Sequence, residues 1–172
     1  ETLLSSELWM PMTSATTAHT FRKILDKWAT KTGSDPTFVP FQGHDFSMRG
    51  MSGTEAAMSS GAGHLVSFCG TDTIPAIEFV ERYYPNNPDD NSLIGCSVSA
   101  TEHSVMCAGG SEPGDELATF ERLLFVKYPT GILSVVSDTW DLWTVITSYL
   151  PKLKDRILAR DGKLVIRPDS GD

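Results

Sequence analysis

Short apolar runs opening near residues 44, 65, 95, 132 and 163 alternate with helical patterns, and no other feature constrains the fold of this chain as tightly. A strand followed by a helix, repeated at intervals of about twenty to forty residues, marks successive βα units whose strands pair in parallel. The runs are continuous rather than alternating, as expected of strands covered on both faces. There is no internal sequence repeat and no low-complexity segment.

The elements can be placed from periodicity. Ala15, Ala18, Phe21, Leu25, Trp28 and Ala29 recur at three- and four-residue intervals before Gly33, which predicts an amphipathic helix over 13–32. A Pro- and Gly-punctuated connection over 33–43 leads to a strand at 44–48. Ser52 and Glu55 have capping-box spacing and predict a small-residue helix through Ala62. A strand at 65–69 follows, then a helix capped by Thr73 with Pro75 in its first turn. Ala76, Ile77, Val80 and Tyr84 line its inner face up to Pro85. Residues 86–91 read as polar loop and 95–99 as a strand.

Leu117, Phe120, Leu123, Leu124 and Tyr128 predict a helix over 116–128, and a strand follows at 132–136. A helix over 139–150 would turn Trp140, Trp143, Ile146, Tyr149 and Leu150 inward. Pro151 then opens another helix reaching Ala159, and 163–167 is the last strand. Trp28, Trp140 and Trp143, at helical spacing, are expected in the core. Five βα units do not close an eight-stranded barrel, so the α/β fold is either an open doubly wound sheet or an incomplete (β/α) barrel. The abrupt end after the fifth strand favours the barrel. The expected organisation is a single partial α/β-barrel domain over 1–172, with 1–43 as leading helix and connection and 44–172 as the βα units. With no initiator methionine and a turn-rich end from Arg167 to Asp172, the chain reads as an excised piece.

Composition excludes several classes of function. The chain is 40% hydrophobic and 21% charged over 172 residues, a balance that belongs to a globular core rather than a disordered tail. A net charge of −8 repels polyanions and argues against nucleic acid or an anionic membrane as the main partner, while leaving room for a local phosphate site. No apolar run is long enough to span a bilayer, and no signal-peptide pattern opens the chain. Cys69, Cys96 and Cys107 are an odd set without a C-x-x-C pair, which points to a reducing cytoplasm.

In parallel α/β folds chemistry gathers where strands end and helices begin. Those positions here hold Phe46 and Arg49, then Asp72, then Glu102 and His103, then Asp138, then Arg167 and Asp169. Each has a plain structural role open to it. An aspartate before a helix commonly serves as an N-cap, and either arginine could be a surface ion-pair residue. His44 and His64 fall at the opening ends of predicted strands and His19 on a helix, where structural roles prevail. A charged group in five consecutive strand-end loops is more than capping requires. Arginine forks match phosphate oxygens, and carboxylates with waters hold Mg²⁺ beside a diphosphate. His103 could act as nucleophile or general acid–base, oriented by Glu102 or Asp138, and Phe46 offers a face for a flat heterocycle. No strand-end lysine, H-x-H, H-E-x-x-H or P-loop pattern is present.

The segments 44–50 (HDFSMRG), 70–73 (GTDT), 100–104 (ATEHS), 134–138 (SVVSD) and 166–171 (IRPDSG) resemble, in order and approximate spacing, those of the nicotinamide phosphoribosyltransferases. The resemblance spans nearly the whole chain. It implies the incomplete-barrel type II phosphoribosyltransferase fold and the transfer of 5-phosphoribosyl from its pyrophosphate to nicotinamide, giving nicotinamide mononucleotide and pyrophosphate. By the same resemblance Phe46 stacks on the pyridine, Asp72 accepts from the carboxamide NH₂, and Ser97 joins the substrate-binding set. Arg167 contacts the carboxamide or ribose side, Asp169 the ribose hydroxyls and Arg49 phosphate. His103 is transiently phosphorylated by ATP, Asp138 and Asp169 lie near Mg²⁺, and the enzyme is a homodimer with shared active sites.

Two departures stand out. Ser47 replaces the glycine expected after Phe46, and two regions of the family pattern lie outside the 172 residues. These are an N-terminal portion that supplies an aromatic to the neighbouring subunit and C-terminal glycine-rich loops for the 5′-phosphate, so the 172 residues alone are expected to be inactive. The rival readings are a nicotinate phosphoribosyltransferase, disfavoured because ionised Asp72 repels a substrate carboxylate, a non-catalytic binding or assembly fragment, and another barrel enzyme that binds phosphate.

Overall fold

The computed structural model describes residues 1–84, 93–110 and 113–170, so the predicted loop over 86–91 and Gly171 of the last motif lie outside the described residues. The chain forms two compact units, Glu1–Ser97 and Val98–Asp172. The fold is mixed α/β, and every described strand pairing is parallel.

In the first unit, helices α1 (Trp9–Thr32), α2 (Thr54–Leu65) and α3 (Ile74–Tyr83) pack around a short pair of strands, β1 (His44–Asp45) and β2 (Gly70–Thr71). The small residues of α2 make this possible. A Cβ on Gly63 would lie 2.5 Å from the Pro11 carbonyl oxygen of α1, and one on Gly61 would lie 2.6 Å from Ala76 Cβ of α3. Backbone thus meets backbone where a larger helix face would hold its neighbours off.

That close approach explains why the predicted inner face of α1 is only partly correct. Ala18 and Ala29 are buried, whereas Phe21 and Trp28 stay about half exposed, with the Lys31 ammonium 4.6 Å above the Trp28 ring. Gly53, not Ser52, precedes α2, and no side chain caps that helix. The expected strand over 65–69 is replaced by the end of α2 and a turn in which the Ser67 and Phe68 N–H groups donate to the His64 carbonyl. Strand β2 starts only at Gly70, where a Cβ would sit 2.6 Å from the Gly43 carbonyl oxygen. A single parallel bridge from Gly70 to Cys96 extends the pair, in place of most of the strand predicted over 95–99. Tyr84 lies beyond α3 and is exposed.

The second unit holds β3 (Ser99–Ala100), β4 (Thr130–Val136) and β5 (Asp161–Arg167) in the order β3-β4-β5, with Ala100 opposite Ser134 and Val136 opposite Arg167. Leu133, Val135 and Val136 of the central strand are fully buried against Met106, Phe120, Leu124, Val145 and Leu153. Sequence periodicity did not assign α4 (His103–Gly109), a seven-residue helix ended by glycines. Helix α5 (Glu116–Arg122) continues through wider π turns over Leu123–Lys127.

Helix α6 (Leu142–Thr144) starts later than expected. Asp141, in extended backbone, accepts the Trp143 and Thr144 N–H groups as its cap. Further π turns over Val145–Tyr149 carry α6 into α7 (Leu150–Leu158). The wider turns shift the phase of the inner face from the predicted one. Val145 is buried, while Trp140, Trp143 and Ile146 are exposed, so none of the three tryptophans takes its expected core place. At the opening end of the sheet the Arg160 guanidinium donates to the carbonyls of Tyr128, Thr130 and Gly131. Among the described residues no helix is long and apolar enough to cross a membrane.

Glu116 is an unusual core residue, 3% exposed, with Oε1 lacking any hydrogen-bond partner. Burial, aided by the nearby Asp141 charge, pushes its carboxyl from 4.5 up to about 7. A folded value above the unfolded one means the folded chain holds this proton more tightly, so stability falls as pH rises from near 4.5 through about 7 and then levels. Glu116→Gln is expected to be more stable than the parent at pH 8, by on the order of 2 kcal/mol, with the advantage gone at pH 4.5. Thermal unfolding across that range is the check, and an unchanged gap between the two proteins contradicts it.

Candidate active site

In the first unit the short β1–β2 ladder sets the geometry. The Asp72 N–H donates to the Asp45 carbonyl at 2.9 Å, which ties the loop after β2 to the end of β1. Asp45 is buried, and its Oδ1 accepts the Ser47 N–H at 2.9 Å, fixing the turn that presents Phe46. Burial pushes the Asp45 carboxyl up, but the hydrogen bonds from Ser47 prevail and hold it below its ordinary value. Ser47 opens a tight 3-10 turn over Ser47–Gly50, and no described residue other than glycine has a positive φ, so serine there carries no backbone strain.

The Phe46 ring is exposed and stacks on His44, with centroids 4.4 Å apart and planes inclined by 26°. His44 Nε2 lies 2.9 Å from Asp72 Oδ1, and Ser97 Oγ donates to the same oxygen at 2.5 Å. An ionised carboxylate only accepts, so the Nε2 proton of His44 is the donated one. His64, the other histidine of this unit's α2–β2 region, donates through Nε2 to the Gly70 carbonyl, and burial lowers its pKa, keeping it neutral. A cavity of about 510 Å³ between α1, α2 and β1 is lined by His44, Asp45 and Ser47 but not by Phe46 or Asp72. The expected residues Phe46, Asp72 and Ser97 therefore belong to one connected group, with His44 as the member the sequence undervalued. Arg49 is exposed on the turn that follows Phe46.

In the second unit three strand ends converge. His103 follows β3, Asp138 follows β4, and Asp169 follows β5. His103 Nε2 lies 3.1 Å from Asp138 Oδ1, and its Nδ1 lies 3.6 Å from Asp169 Oδ2. Asp138 Oδ2 accepts two backbone N–H groups, from Asp169 at 2.8 Å and Ser170 at 2.7 Å. Arg167 donates through Nη2 to the Thr101 carbonyl at 2.6 Å, and its Nη1 stands 3.3 Å from Asp169 Oδ1. Glu102, the alternative partner for His103, accepts from the Ser104 hydroxyl at 3.0 Å.

Partial burial raises the Asp138 carboxyl, but the N–H groups of Ser170 and Asp169, then Asp138's own N–H and His103, lower it further than burial lifts it. Asp138 is ionised at neutral pH, and the His103 ring has a carboxylate near each nitrogen. Among the described residues no three His, Cys, Asp or Glu side chains converge as a metal cage. Asp138 has both oxygens engaged, whereas Asp169, at 41% side-chain exposure, keeps an open approach.

The second unit's strand ends thus carry an acid-flanked histidine and an arginine–aspartate pair, and the first unit's carry an aromatic stacked on a histidine that meets a carboxylate. The chain belongs to the nicotinate phosphoribosyltransferase (NAPRTase) family, whose model matches residues 41–172. It is 51% identical over 178 residues to the nicotinamide phosphoribosyltransferase of Acinetobacter baylyi, covering all of this chain and 34% of that protein. It is 41% identical over 172 residues to the nicotinamide phosphoribosyltransferase of Mycoplasma pneumoniae, again covering all of this chain and 34% of the relative. The chain thus spans about a third of the length of these curated relatives.

If the Asp138 carboxylate holds the turn after β5, removing it should free that turn. In Asp138→Ala the amide protons of Asp169 and Ser170 are expected to exchange with solvent at least ~10-fold faster, since hydrogen bonds to a charged acceptor typically contribute roughly 1.5–3 kcal/mol. In the parent protein that protection should also fade in acid, as pH falls through the depressed value of Asp138. Exchange followed by NMR decides the matter; unaltered protection at both amides means the turn stands without the carboxylate.

Proposed function

We propose that the full-length protein carrying this chain is a nicotinamide phosphoribosyltransferase of pyridine-nucleotide salvage, built on the incomplete (β/α) barrel of the type II phosphoribosyltransferases. In the proposed reaction the pyridine nitrogen of nicotinamide attacks C1 of 5-phosphoribosyl pyrophosphate. The C1–N bond forms as the C1–O bond to pyrophosphate breaks. The observation that carries this reading is the convergence of His103, Asp138, Asp169 and Arg167 at three adjacent parallel strand ends. The similarity to nicotinamide phosphoribosyltransferases supports it.

In this reading Phe46 stacks on the pyridine ring, and Asp72, its carboxylate fixed by Ser97 and His44, accepts from the carboxamide NH₂. Arg167 and Asp169 contact the carboxamide or ribose side and the ribose hydroxyls, and Arg49 contacts phosphate. Anionic side chains beside the sugar favour the oxocarbenium-like transition state left as pyrophosphate departs. When bound, Mg²⁺ would neutralise charge on the leaving diphosphate, and Asp169, with Asp138 behind it, suits an ion that usually takes one or two carboxylates plus phosphate and water.

His103 is proposed to accept the terminal phosphoryl group of ATP. The N–P bond forms as the bond to the ADP oxygen breaks, and ADP departs. Whichever ring nitrogen attacks, the other retains a carboxylate neighbour to balance the developing positive charge. A homodimer with shared active sites and a cytoplasmic location complete the proposal. The family is named for nicotinate, but an ionised Asp72 at the carboxamide position repels a carboxylate in that place.

Two experiments on the full-length protein test these roles. Asp72→Asn is expected to relax the preference for nicotinamide over nicotinate when the two compete for limiting enzyme, because the repelling charge is gone; an unaltered preference removes Asp72 from the pyridine site. Given ATP and Mg²⁺, the protein is expected to gain an acid-labile phosphate on His103, and His103→Ala to lose ATP hydrolysis while retaining slow, uncoupled ribosyl transfer. Mass spectrometry under alkaline conditions reads the first outcome. Surviving ATP hydrolysis in the variant, or phosphate on another residue, refutes the assignment.

A further inference from the structure

We infer that His44 is a positioning residue for the pyridine end of the site, holding the Asp72 carboxylate and the Phe46 ring in one fixed relation and thereby setting the preference for an amide over an acid. The inference rests on the proposed roles of Asp72 and Phe46. It adds a residue that neither the strand-end pattern nor the motif series assigns.

The geometry carries it in three contacts. The His44 imidazole donates to Asp72 Oδ1 at 2.9 Å through one edge and stacks on Phe46 through its face, 4.4 Å between centroids. Through its backbone, His44 is paired with Gly70 in the parallel ladder, two residues before Asp72. Gly70 also lets the ring in, since a Cβ there would lie 2.8 Å from His44 Nδ1. The imidazole is therefore wedged against β2 and has little freedom to swing.

Asp72 Oδ1 receives two donors, His44 and Ser97, and two donors on one oxygen fix the plane of the carboxylate. Where that plane is fixed, an amide N–H can be met at hydrogen-bonding distance and a carboxylate meets a fixed negative charge. Where it rotates, both effects weaken. A histidine serving only to fill the core would stack on Phe46 without needing a donor aimed at Asp72, and the side chain is 23% exposed rather than buried.

Three variants of the full-length enzyme separate the two roles. His44→Phe keeps an aromatic face for Phe46 and removes the donor. His44→Gln keeps an N–H donor of similar reach and removes the stack. The third, His44→Phe in an Asp72→Asn background, asks whether the effect passes through the carboxylate.

Steady-state kinetics with nicotinamide and with nicotinate are the measurement. The expected result is a rise of about tenfold in the nicotinamide KM for His44→Phe, with kcat and the KM for phosphoribosyl pyrophosphate changing much less and with weaker discrimination against nicotinate. His44→Gln should recover most of the loss, and in the Asp72→Asn background His44→Phe should add little. Unaltered nicotinamide KM and selectivity in His44→Phe, with only a lower melting temperature, overturns the inference and leaves the proposed function standing. So does an effect that persists undiminished in the Asp72→Asn background. A parent enzyme that does not convert nicotinamide at all overturns the proposed function itself, and this inference falls with it.

Discussion

The carboxylate of Asp138 is the tie on which the second unit's strand ends depend. It follows β4, takes His103 from the end of β3 on one oxygen, and takes the N–H groups of Asp169 and Ser170 beyond β5 on the other. Parallel pairing brings those three ends side by side, with Val136 opposite Arg167, but pairing alone does not orient the loops that leave them. An ionised acceptor with four favourable contacts does, and the same contacts keep it ionised. The geometry of the side-chain cluster and that of the loop are thus one set of hydrogen bonds.

Asp72 plays a comparable part in the first unit. Its backbone N–H is tied to Asp45, while its side chain gathers His44 and Ser97. Around it the chain is built to allow close approach: Gly70 against the Gly43 carbonyl, Gly61 against Ala76, and Gly63 against α1. Small residues cost the unit apolar contact area, visible in the half-exposed Phe21 and Trp28. In return the backbone can pass near enough for short polar contacts to gather around Asp72. Each unit therefore has an aspartate that ties a strand-end loop to its neighbours.

Much of this was legible in the residues because the strand rhythm survives noise. Strands 132–136 and 163–167 read correctly to within a few residues, as did the helices around them, since long apolar runs bounded by glycine leave little ambiguity. The strand expected at 65–69 failed because α2 runs to Leu65 and the chain then turns, leaving Val66 exposed and Phe68 buried without a strand ladder. The tryptophans failed because Trp140 falls before the helix that starts at Leu142, Trp143 lies exposed in that helix's first turn, and α1 buries alanines rather than its large side chains. Of the expected site residues, His103, Asp138, Asp169 and Arg167 meet in one cluster, and Phe46, Asp72 and Ser97 in another. His44 was undervalued because a two-residue strand places its opening residue as near the strand's end as its last. The only sequence signal for it was its position two residues before the aromatic.

The proposal that this chain's strand ends serve phosphoribosyl transfer to an amide-bearing pyridine is decided by product formation by the full-length wild-type protein, supplied with 5-phosphoribosyl pyrophosphate, Mg²⁺ and ATP, and with nicotinamide or nicotinate as acceptor. Separation of the products by ion-exchange chromatography distinguishes the amide nucleotide from the acid nucleotide by charge. The expected products are nicotinamide mononucleotide and pyrophosphate in equal amounts, with kcat/KM for nicotinamide at least ~100-fold above that for nicotinate, as expected where a fixed charge must be met or avoided. A preference for nicotinate, or no nucleotide from either pyridine, would contradict it.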